Sequence, residues 1–85
     1  MSQREKLVAR ICRIPTDFTW DEMVRLMESF DYRELPNAGT SHRKFYNEKS
    51  SRLISVPKPH HPRPYVGRSY LRAVVDHLNL VKRDP

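Results

Sequence analysis

The chain carries four imidazoles, His42, His60, His61 and His77, and three of them lie near a dense set of cations. His42 follows Gly39-Thr40-Ser41 and precedes Arg43-Lys44. Imidazole is the usual proton carrier near neutral pH, and cations beside it can hold a phosphodiester and stabilise charge developing on it. His60-His61 suggests a metal. Yet no His, Cys, Asp or Glu grouping supplies a third and fourth ligand at zinc spacing, so no metal and no cofactor are expected. His77 follows Asp76 near the end of a predicted helix, where a cation meets the negative dipole end, and reads as a surface capping histidine. Neither a Ser-His-Asp nor a Cys-His arrangement is present, and no paired carboxylates occur near His42. Any catalysis here is minimal acid–base chemistry on an anion.

The charge distribution supports an anionic ligand in the same region. The 85 residues carry sixteen Lys and Arg against ten Asp and Glu, a net charge of +6. Residues 1–38 contain six bases and seven acids, a net −1, whereas residues 39–85 contain ten bases and three acids, a net +7. The excess surrounds His42, Lys58, His60, His61 and Arg63. Such a balance points to a nucleic acid, an acidic protein or a membrane surface. No apolar run reaches membrane-spanning length. The N-terminal pattern is amphipathic and unlike a secretory leader, and the single Cys12 forms no internal disulfide, so a cytoplasmic chain is expected.

The elements that position these residues follow from periodicity and punctuation. Ser2-Gln3-Arg4-Glu5 fits a capping box, and Leu7, Val8, Ile11 and Cys12 fall on one helix face. Pro15 disfavours helical geometry at Ile14 and ends this helix, which is expected to lie apart from the main core. Thr19-Trp20-Asp21-Glu22 is a second capping box, with Phe18 and Met23 at staple spacing. Trp20, Met23, Val24, Met27 and Phe30 then form an apolar stripe, and Asp31 can take the left-handed conformation that stops the helix.

Three short strands are predicted next. Tyr32–Leu35 runs into the turn cluster Pro36-Asn37-Ala38-Gly39. Ser41–Tyr46 alternates, with His42, Lys44 and Tyr46 on the more solvated face and Phe45 facing Ile54 and Val56 of Arg52–Val56. Four prolines within residues 57–64 make an extended connection. A closing helix from about Val66–Arg68 is expected to turn Tyr70, Leu71, Val74, Val75 and Leu78 inward. The order helix, helix, three strands, helix gives an α+β layer with helices on one face of the sheet. The length suits a single domain over residues 1–85, with a helical extension (1–14) ahead of the main body (15–85).

At the same residues the chain resembles a family. Gly39-Thr40-Ser41-His42-Arg43-Lys44-Phe45, then Ile54-Ser55-Val56-Pro57, then Lys58-Pro59-His60, looks like the HicA toxins of bacterial HicA–HicB toxin–antitoxin pairs. The likeness covers about residues 16–81. It departs at Thr40 and Asp31, where members usually carry glycine, and in its N-terminal helix. The resemblance implies a fold like double-stranded-RNA-binding domains and an endoribonuclease that cleaves mRNA to arrest translation, inhibited by a HicB-type antitoxin. It implies His42 as the catalytic residue. Ser41, Arg43, Lys44, Lys58, His60, His61 and Arg63 are the expected RNA-binding residues, and Tyr46 or Tyr65 could stack unpaired bases. The alternatives are a non-catalytic RNA-binding module of the same fold and a protein-interaction module whose basic face meets an acidic partner.

Overall fold

The computed structural model describes residues 3–36, 42–59 and 64–80. Helix α1 (Gln3–Cys12) and helix α2 (Trp20–Ser29) precede strands β1 (Tyr32–Glu34), β2 (His42–Asn47) and β3 (Arg52–Pro57), and helix α3 (Arg68–His77) closes the chain. The strands form one antiparallel sheet in the order β1-β2-β3. The protein is a small α+β fold, as the element order predicts.

The local signals account for the helix ends. The Thr19 hydroxyl accepts the Glu22 backbone N–H at 3.1 Å, and the Glu22 carboxylate accepts the Thr19 N–H at 2.9 Å. This reciprocal pair satisfies donors that a helix start leaves open. Asp31 has a φ of 69° and ends α2 in the left-handed region, as expected. Ser2, the first residue of the other expected capping box, lies outside the described residues. Ile14 escapes the helix by taking a φ of 50°. That conformation costs a β-branched residue about 1–2 kcal/mol. It is held because the Ile14 N–H donates to Ile11 at 2.9 Å, while its carbonyl accepts Arg68 Nε at 3.0 Å.

Helix α1 is not an appendage. Leu7 and Ile11 are buried in one cluster with Phe18, Met23, Leu26, Met27, Phe45, Val56, Leu71, Val74 and Val75. Arg10 fastens α1 to the start of α2, donating to the Glu22 carboxylate at 2.5 and 3.1 Å and to the Asp17 carbonyl at 2.7 Å. A short helix with only two fully inward side chains thus gains its stability from tertiary packing, as most protein helices do. Tyr70 also departs from expectation. It is 42 % exposed and stands beside Gly67, while Leu71, Val74 and Val75 fill the core.

Candidate nucleic-acid interface

Strand β2 alternates cleanly. Phe45 and Asn47 are buried and Arg43 is half-buried on the face that meets the helices, where the Phe45 and Trp20 ring centroids lie 5.5 Å apart. His42, Lys44 and Tyr46 project from the opposite face, His42 and Lys44 exposed and Tyr46 half-buried. The register completes that face. Arg33 of β1 and Leu53 of β3 flank Tyr46, Ser55 lies opposite Lys44, and Pro57 lies opposite His42. Lys58, exposed, follows Pro57 at the His42 end. None of the buried core residues comes from these outward rows.

His42 and Lys44 are therefore neighbours two residues apart on one exposed strand face, about 7 Å along the strand. An imidazole and an ammonium at that spacing can move a proton and hold an anion on the same ligand. Arg43 does not share this face. Its guanidinium Nη1 lies 3.4 Å from the Glu34 carboxylate, and its Nε is buried with no hydrogen-bond partner among the described residues. Its place in the sequence beside His42 suggested RNA contact; the pleat of β2 turns it toward the helices. Ser41, His60, His61 and Arg63, like Gly39 and Thr40, lie outside the described residues.

Tyr46 belongs to the outward rows, whereas Tyr65 pairs with Thr19 just before α2 and is not part of them. Arg33 and Leu53 join the face without having been singled out from sequence. β1 has only three residues, too few for alternation to stand out, and in β3 the outward Leu53 is as apolar as the inward Ile54 beside it, which hides the period. Leu53 is 49 % exposed, an apolar side chain on an otherwise cationic surface.

His77 is not a surface cap. Its Nε2 lies 2.8 Å from the Tyr32 hydroxyl, and burial, reinforced by the positive charge of Arg52, holds its pKa below the ordinary histidine value. Among the described residues no three metal-ligating side chains come together, and no helix is long and apolar enough to cross a membrane. No protein-family model, characterised protein or solved structure matches this chain.

Proposed function

We propose that this chain is an endoribonuclease toxin of the HicA type, with a fold of the double-stranded-RNA-binding-domain kind, acting on mRNA in the cytoplasm. The observation that carries the proposal is the placement of His42 and Lys44 side by side on the exposed sheet face, in the half of the chain that holds the net +7. Helices on one face and a cationic strand face carrying Tyr46 on the other suit an RNA strand held by its phosphates and stacked through its bases.

In this mechanism His42 takes the proton from a ribose 2′-hydroxyl as that oxygen attacks the adjacent phosphate. The P–O5′ bond breaks, leaving a 2′,3′-cyclic phosphate and a 5′ oxygen that needs a proton. Lys44, with Lys58 or Arg63, holds the phosphate and offsets the charge that builds on it. His60 and His61, which follow Lys58 and Pro59 in the sequence, are the imidazoles the sequence offers for protonating the leaving oxygen. An acidic HicB-type antitoxin laid over the same face would block access to His42.

Expression in a bacterial host tests the proposal. The parent chain should arrest translation and His42→Ala should relieve the arrest; arrest that persists unchanged in His42→Ala contradicts it. The exposed Leu53 beside Tyr46 favours a second reading, a protein-interaction module. That module would bind a partner through this face and turn over no RNA.

A further inference from the structure

Beside Tyr46, at the far end of β2 from His42, the surface opens into a depression of about 390 Å³. Its walls include Tyr46, Arg33, Glu28, Asp31, Glu48 and Lys49. Two of the three carboxylates are held in ion pairs, Glu48 with Arg33 and Asp31 with Lys49 at 3.4 Å; Glu28 is the third. The walls thus carry one more negative than positive charge. Phosphate is disfavoured in such a place. A neutral planar ring with amino hydrogen-bond donors suits it.

We propose that the depression is a nucleobase subsite, with Tyr46 as its stacking platform. This rests on the RNA reading of the neighbouring face and extends it to a second contact point. Tyr46 stands in register between Arg33 of β1 and Leu53 of β3, and the exposed apolar Leu53 side chain extends the platform on that side. Successive bases stack on such aromatic side chains irrespective of sequence. Glu28, the third carboxylate of the walls, is the acceptor this subsite would use for an exocyclic amine. From Tyr46 to His42 is four strand residues, about 14 Å at roughly 3.4 Å each. A single strand laid along β2 would place one base on Tyr46, its backbone past Lys44, and a phosphate at His42. The bases of a duplex are paired and stacked within the helix and cannot lie on Tyr46, so the subsite selects unpaired RNA. Tyr46 here is a positioning residue and touches no reacting atom.

The test uses the full chain and a single-stranded RNA long enough to span β2, carrying 2′-O-methyl groups so that it cannot be cut. Tyr46→Ala should weaken its Kd about tenfold, as loss of one stacked base does, and Tyr46→Phe should restore it. Affinity for a duplex of the same sequence should be the same in all three proteins, and the urea midpoints of Tyr46→Phe and the parent should agree. An unchanged single-strand Kd in Tyr46→Ala, or an equal loss on the duplex, overturns the subsite. The ribonuclease reading is judged separately, on the unmodified strand. Cleavage by the parent with no Tyr46 effect on affinity sinks the subsite alone. A Tyr46 effect on affinity with no cleavage sinks the ribonuclease alone.

Discussion

The Tyr32 hydroxyl and His77 Nε2 lie 2.8 Å apart, a contact that ties the end of α3 to the first strand. The rings meet edge to face, at 65° and 5.6 Å between centroids. With Nε2 unprotonated, the hydroxyl donates and the pair is satisfied. Protonating the ring adds a charge that burial disfavours first and Arg52 repels second.

A pH dependence of stability follows. The folded pKa of His77 lies below its unfolded value, which is about 6.5. Protons therefore bind the unfolded chain more readily, and stability is complete above the unfolded pKa and lost as the pH falls through it toward the folded value. Thermal midpoints measured from about pH 7.5 to about pH 5.5 should fall in the parent, and His77→Gln should flatten that part of the slope. Identical slopes in the two proteins would remove His77 from the account.

The Thr19–Glu22–Arg10 junction gives a ranked pair of losses. Thr19→Ala removes one reciprocal cap contact and should cost about 1 kcal/mol. Glu22→Ala should cost more, because the same carboxylate also receives Arg10 from α1. Urea midpoints decide this. A Glu22→Ala loss no larger than that of Thr19→Ala would mean that α1 is not held through Arg10.

Phe45 connects the sheet to the helices. It has no exposed surface and stacks against Trp20, so Phe45→Ala should cost about 3–5 kcal/mol. Domains hold roughly 0.05–0.15 kcal/mol per residue, or about 4–13 kcal/mol at this length. The variant should therefore lose a large part of its cooperative unfolding transition in urea. A loss of only about 1 kcal/mol would place Phe45 outside the core.

Lys44 and Arg43 are adjacent in sequence and opposite in space, which separates their effects on RNA. Lys44→Ala should weaken RNA binding and reduce the salt slope by about 1. Arg43→Ala, on the helix-facing side with Glu34, should leave the slope unchanged. Titrations across a range of salt concentrations measure both. The reverse pattern would put the RNA on the wrong face.

Much of this architecture is legible in the sequence because its signals are local. Thr19 and Glu22 are three residues apart and cap the same helix turn; the alternation of His42 to Tyr46 fixes both faces of β2. The parts that escaped are tertiary. Nothing near His77 announces a partner 45 residues earlier on β1. The burial of α1 depends on Arg10 finding Glu22 and on Leu7 and Ile11 meeting the other helices, none of which periodicity can show. Tyr70 falls beside the inward positions of α3 in the helix pattern, yet it is exposed while Leu71, Val74 and Val75 are buried. Arg43 is the instructive case: the pleat places it on the opposite face from His42, and only proximity in the motif draws it into the expected RNA-binding set.

The central claim is that His42 moves the proton in RNA cleavage. The direct measurement is the initial rate at which purified, folded parent and His42→Ala cut a single-stranded RNA, with the ends of the products identified. The account predicts 2′,3′-cyclic phosphate ends from the parent and a rate at least about a hundredfold lower in His42→Ala, the usual scale of a general acid–base group. Cleavage by His42→Ala at the parental rate would contradict it.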